Sequence, residues 1–347
     1  WRTDAIEEAN PAMQTAKSLN GHLLKRIGAV ILLTAASAFA AGVAAAPRAL
    51  DCPHVTLVSP YPPGGGTDTF ARLLAPGMTE QLGVTVIVLN KPGANGNIGT
   101  EFVGRANPDG CTLLLANAAN VVINRNLYKL RLDPLHSLQP VAQVASVPLI
   151  LYVNPTRLDV TTPQELISVL RANPGKYSFA SGGAGTPHHL AGERLKHDAG
   201  VDILHVPYTG QGPAMANTVA GHTSMAFETT TVAMPYLKAG MVRPLATTAP
   251  HRLASLPDLP TMVESGFDDF IIMSWYAVFA PAGVPKAVIQ ILHGAVLHAL
   301  AKPEVAESMK TMEAIQTTST IEEVRQFVDA EAARWAELVT KTGVRLD

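Results

Sequence analysis

Two glycine-rich turns carry the residues in this chain best suited to hold a charged small molecule. The first runs Tyr61-Pro-Pro-Gly64-Gly65-Gly66-Thr67-Asp68 and links an apolar, strand-like segment to a helix-like one. The second, Ser181-Gly182-Gly183-Ala184-Gly185-Thr186-Pro187-His188, repeats that construction much later in the chain. Glycine permits a tight turn and leaves backbone N–H groups uncovered, and a helix start carries roughly half a positive charge. Together these features suit an anion such as a carboxylate. Thr67 or Asp68 is expected to cap the first helix, and Thr186 the second, with Pro187 at its first position. A plain tight turn has the same composition, so one such loop decides little. Two of them, each in its own α/β lobe, are expected to face each other across a cleft at the carboxyl ends of the strands. A third loop, Asn90 to Glu101 (NKPGANGNIGTE), has similar makings and is expected to line the same mouth.

Other chemistries fit these residues less well. No Gly-Lys-Ser/Thr follows the first turn, and Thr69 stands where a dinucleotide fingerprint wants its third glycine. His188, His189 and Glu193 invite a metal reading, but H-E-x-x-H is absent and adjacent helical histidines point apart. Neither a metal nor a cofactor is expected. Ser181 lies in F-A-S-G-G rather than the G-x-S-x-G of a nucleophile elbow, and no base or acid can be assigned to it. The protein is therefore not read as an enzyme. His188 is read as a donor near a ligand and His189 as a structural residue. Glu228, Thr229 and Asn117, at strand ends, are candidate acceptors for an amino or hydroxyl group of that ligand. The plainer reading of Glu228 is a solvated strand-end carboxylate.

Composition sets the outer limits. A chain of 347 residues, 47% hydrophobic and 16% charged, can bury a large core, and its length favours two domains over one. Its formal net charge is -2 and it has no run of Lys or Arg, which argues against nucleic acid as a partner. Residues 1–46 read as an N-terminal extension and a signal peptide: Lys25 and Arg26 precede an apolar run, Ile27 to Ala46, that offers Ala38-Phe39-Ala40 for cleavage. A membrane anchor is the alternative. Export gives Cys52 and Cys111 a meaning, because each precedes a strand-like segment and parallel neighbouring strands would bring both thiols to one sheet edge. A disulfide is expected, worth roughly 4 kcal/mol on the chain-entropy account; two unrelated buried thiols are the alternative.

The elements that must position these loops alternate along the chain. Short apolar runs such as VTLVSP, VTVIVLN, CTLLLAN, LILYVNP and WYAVFAP are separated by helical patterns, which predicts an α/β fold with largely parallel sheets. Thr320 to Lys341 reads as one long amphipathic helix, and no repeat of 20 to 50 residues is visible.

Seven segments in order and spacing, PYPPGGGTDTFAR, NKPGANGNIGT, ANPDGCTLLLAN, SGGAGTPHHLAGE, HVPYTGQGPAMAN, RLASLPDLPTMVESGF and WYAVFAPAGVP, make the chain resemble the periplasmic solute-binding receptors of tripartite tricarboxylate transporters, the Bug receptors. The resemblance implies a type II periplasmic binding protein fold: two Rossmann-like domains, a central cleft, and two crossing strands near Val147–Val153 and Ser274–Pro281. It divides the chain into residues 47–148 with 271–347, and 149–270. It further implies that the Tyr61–Asp68 and Ser181–His188 loops clamp one ligand carboxylate through amides, hydroxyls and bridging water. The ligand would be a mono-, di- or tricarboxylate or an amino acid, passed on by a monomer to membrane permease subunits. A sensory role beside a signalling protein is the alternative. Two departures from the family pattern stand out, since Phe is usual at Tyr61 and Asp at Glu228. Neither clamp loop holds an arginine.

Overall fold

The computed structural model describes residues 50–346, so the predicted signal segment lies outside them. Its strands are β1 (Val55–Ser59), β2 (Val86–Asn90), β3 (Thr112–Asn117), β4 (Leu138–Val153), β5 (Ser178–Ser181), β6 (Leu204–Pro207), β7 (Met225–Thr229), β8 (Arg243–Thr247), β9 (Met273–Pro281) and β10 (Ile315–Gln316). The longer helices are α1 (Gly66–Leu82), α2 (Asn97–Gly104), α3 (Pro163–Ala172), α4 (Pro187–Ala199), α5 (Gln211–Val219), α6 (Thr230–Lys238), α7 (Lys286–Leu300), α8 (Pro303–Thr311) and α9 (Ile321–Thr342). Among the described residues, no helix is long and apolar enough to cross a membrane.

Strand pairing explains the two lobes. In the first, β2-β1-β3 run parallel and β9 joins antiparallel to β3. In the second, β6-β5-β7 run parallel and the end of β4 joins antiparallel to β7. Both lobes thus share one topology, although their sequences show no repeat. Strand β4 links them: Leu138 to Pro148 pair with β9, and Leu149 to Val153 pair with β7 and β8. Its burial on both faces over nearly its whole length accounts for the continuous apolar run VASVPLILYV. The chain returns where Ile272 donates to the Thr248 carbonyl (3.2 Å) and Met273 pairs with Pro148. The expected second crossing therefore falls at the start of β9, which then stays in the first sheet. We propose the domain division 47–148 with 271–347, and 149–270, on the strength of these two crossings.

Packing fixes the loops at the strand ends. Strand β1, α1 and α7 bury Leu57, Phe70, Met78 and Leu292 together, and Gly77 lets α1 approach the backbone of Ala299. Cys52 and Cys111 form a disulfide, Cα–Cα 5.8 Å, which ties the starts of β1 and β3. Helix α9 begins with a capping box between Thr320 and Glu323 and buries Val324, Val328 and Trp335, one residue off the predicted span. Glu331 Oε2 accepts from both Trp275 Nε1 (2.9 Å) and Trp335 Nε1 (2.8 Å), which binds α9 to β9.

Candidate functional site

The first glycine loop differs from the sequence expectation in how its helix starts. Gly65, not Thr67 or Asp68, is the N-cap of α1, and no side chain caps it. With three glycines in a row the helix begins earlier, at Gly66, which puts Thr67 and Asp68 inside its first turn. Asp68 braces the loop instead: Oδ2 accepts from the Gly64 N–H (3.1 Å), and Oδ1 from Asn90 Nδ2 (2.9 Å) and Arg72 Nε (3.0 Å). Burial draws the Asp68 carboxyl upward, but the bonds from Arg72, Asn90 and Gly64 outweigh it and hold it below the usual carboxylate range. Thr67 Oγ1 accepts from Ser59 Oγ (3.0 Å).

The second loop follows the expectation more closely. Thr186 caps α4, accepting from the His189 N–H, and Pro187 holds the first helical position. Ser181 is buried and braces its own loop, donating to the Gly183 carbonyl (3.0 Å) and accepting from the Gly183 N–H (3.2 Å). The Gly185 N–H is taken by His189 Nδ1 at 3.0 Å, so His189 is structural. Its ring stacks on His205, centroids 3.9 Å apart.

Sequence reasoning missed the residue on which both loops meet, Gln211, the first residue of α5. A Cβ on Gly65 would lie 3.3 Å from Gln211 Oε1, and one on Gly182 would lie 3.1 Å from the Gln211 backbone nitrogen. Gln211 Oε1 accepts from the Gly66 N–H at 2.7 Å. Its Nε2 lies 2.8 Å from Glu228 Oε1, 3.1 Å from Thr229 Oγ1 and 2.8 Å from His188 Nε2. His188 Nε2 is itself 3.1 Å from Glu228 Oε1. Four helix starts, those of α1, α4, α5 and α6, thus converge on one side chain. Their combined positive ends favour an acceptor or an anion there. Glu228 is buried rather than solvated, which excludes the plainer reading of it. The available signal was T-G-Q-G-P before a helix, a further glycine turn at Thr209–Pro213.

A cavity of about 480 Å³ is lined by Tyr61, Pro92, Asn95, Tyr128, Gly183 and Tyr208 among others, and Gln211, Glu228 and His188 are not part of its lining. The third loop does line the mouth. Asn95 takes the left-handed conformation (φ 52°), which asparagine tolerates, and donates from Nδ2 to the Ala184 carbonyl of the other lobe (2.8 Å). Tyr128 donates to that same carbonyl (2.9 Å). The Tyr61 hydroxyl donates to the Asn95 carbonyl (3.1 Å) and lies 3.5 Å from Asn117 Oδ1, so Asn117 sits behind Tyr61. Burial raises the pKa of Tyr61 and pushes that of Tyr276 up to about 12, so both remain hydroxyl donors at neutral pH.

Two chemistries can be weighed on this geometry. Among the described residues, no group of three or more His, Cys, Asp or Glu is placed to hold a metal ion. Ser181 does have a histidine neighbour, His205 Nε2 at 2.7 Å. Burial, aided by Lys196, lowers the His205 pKa to about 4.

The chain matches the model of the tripartite tricarboxylate transporter family receptor over residues 70–344. It belongs to that family. Protein BugT of Bordetella pertussis is 34% identical over 310 residues, 88% of this chain and 95% of its own. The solved periplasmic binding protein BugD is 36% identical, with a TM-score of 0.80 over 84% of this receptor and 98% of that chain. An R. palustris protein solved with adipate is 31% identical, with a TM-score of 0.81 over 84% and 98%. The two-lobed fold of this receptor is the fold of these two solved proteins.

Proposed function

We propose that this protein is a periplasmic receptor whose two lobes hold a small organic carboxylate and deliver it, as a monomer, to the membrane subunits of a tripartite tricarboxylate-type transporter. The observation that carries the reading is the meeting of the two lobes at Gln211, whose Oε1 accepts from the Gly66 N–H at the start of α1 while its Nε2 lies among His188, Glu228 and Thr229 at the starts of α4 and α6. An anion held this way needs no arginine, and its affinity depends on the lobes meeting rather than on a buried ion pair. The adipate found in the R. palustris relative supports a carboxylate as the ligand. On this reading Gly65, Gly66, Thr67, Gly182 and His188 face the bound acid. Glu228 and Thr229 lie beside that carboxylate, Tyr61 and Asn117 shape the far end, and Gly64, Asp68, Ser181, Gly185 and Thr186 hold the loops in place.

No catalysis is assigned. The Ser181 hydroxyl is buried and shared between the Gly183 carbonyl (3.0 Å) and His205 Nε2 (2.7 Å), inside the loop it braces. The alternative of a sensory receptor has no specific observation in its favour.

Calorimetry of the exported protein against mono-, di- and tricarboxylates and amino acids tests the reading. At least one acid is expected to bind with micromolar affinity or better, and binding to none contradicts the proposal. Gly65→Trp is the matching variant, because Gly65 has an ordinary φ of -91° and its Cβ faces Gln211. It is expected to lower affinity at least a hundredfold with little loss of stability.

A further inference from the structure

The Gln211 carboxamide sits with its two ends fixed by its neighbours. Gly66 presents a hydrogen to Oε1, and Glu228 presents a lone pair to Nε2. A flipped amide would set donor on donor and acceptor on acceptor. More hydrogen-bonding capacity is gathered around this group than it uses. The Tyr276 hydroxyl is buried against Ser274, Gln211 and Thr229 without a well-aligned bond to any of them, and a Cβ on Gly66 would collide with it. His188 Nδ1, on the ring whose Nε2 meets Gln211 and Glu228, and Thr230 Oγ1, two residues after Glu228, are also buried without partners. A carboxamide offers one acceptor and one donor group. A carboxylate with a hydroxyl or ammonium on the adjacent carbon offers two acceptor oxygens and a donor, so it reproduces both halves of the pattern and engages the spare groups.

We propose that Gln211 holds the ligand's place and that Glu228, which its carboxamide covers, is the specificity-determining residue. The incoming acid displaces the carboxamide, sets its carboxylate on the Gly66 N–H, and sets a donor from the neighbouring carbon on Glu228. The inference rests on the carboxylate-receptor reading above. It assigns 2-hydroxy and 2-amino acids as the ligand class, because an acid lacking that donor strips the buried Glu228 of its Gln211 bond and returns nothing. A missing bond to a buried charged group changes binding roughly ten- to hundredfold.

Malate, aspartate and succinate share one four-carbon frame and differ at the carbon next to a carboxylate. Calorimetry of the wild-type protein is expected to show malate or aspartate bound at least tenfold more tightly than succinate. Gln211→Ala removes the internal competitor and is expected to tighten binding of each bound acid about tenfold while keeping the ratio, which Glu228 sets. Gln211→Asn, one methylene too short to span Gly66 and Glu228, is expected to do the same and serves if the alanine variant melts far below wild type. Equal affinities for the three acids, binding confined to unsubstituted acids, or weaker binding by a variant that melts like wild type overturns the inference and leaves the receptor reading standing. Binding of no carboxylate at all overturns the receptor reading itself.

Discussion

Gly66 combines three roles that only a residue without a side chain can fill: it starts α1, donates to Gln211, and lies against the Tyr276 hydroxyl. In Gly66→Ala the new methyl meets that hydroxyl in a packed interior, and such overpacking costs about 1–3 kcal/mol. Thermal melting is expected to show that loss. Adding Tyr276→Phe removes the hydroxyl and is expected to recover part of it, whereas strictly additive changes would show that the two residues do not meet. Titration is also decided at this scale. Burial, with His205 and Lys196 nearby, lowers the His189 pKa to about 3, and burial with Lys196 lowers that of His205 to about 4. Both lie below the usual unfolded value near 6.5, so between pH 6.5 and about 4 the unfolded chain takes up protons that the folded one refuses. Stability is expected to fall as pH falls through that window, by up to about 1.4 kcal/mol per unit for each ring. Melts at pH 7 and pH 5 check this, with a His189→Gln, His205→Gln double variant losing clearly less than wild type. An unchanged acid loss would refute the assignment.

At the level of elements, the disulfide is the cross-link whose removal reads out most simply. Cys52 and Cys111 join the starts of β1 and β3, the strands that deliver the first glycine loop and Asn117. The Cys52→Ala, Cys111→Ala protein is expected to lose about 2–5 kcal/mol in chemical denaturation, with its ligand affinity little changed if it is measured well below the melting point. The pairing was legible because both cysteines precede strand-like runs. Thr186 was legible as a cap for a similar reason, since a cap and its partner lie three residues apart. The cap of α1 was not, because three glycines leave the start of a helix unmarked by any side chain. Gln211 was legible only as part of a motif. Its role depends on Gly66, 145 positions away, and on Glu228, so it emerges from the meeting of two lobes rather than from any local pattern.

On the scale of the whole molecule, the strand order β2-β1-β3-β9 answers to β6-β5-β7-β4, and the glycine loops follow the corresponding strands β1 and β5. The alternation of strands and helices foretold the α/β class, while the pairing of distant strands in each sheet and the shared topology were invisible to a search for sequence repeats. Pro62 lies close to Gly210 and Leu127 close to Gly185 across the cleft, and the polar contacts there include Gly66 with Gln211, and Asn95 and Tyr128 with Ala184. Such polar contacts exchange readily with a ligand's own hydrogen bonds, which is what capture and release require. The account stands on one acid engaging both glycine loops at once. Amide chemical shifts of the isotopically labelled protein, followed as a binding carboxylate is titrated in, test that most directly. Gly65 and Gly66 from one lobe, and Gly182 and Ala184 from the other, are expected to shift together and saturate at a single dissociation constant. Shifts confined to one of the two loops, or to residues away from the cleft, would contradict it.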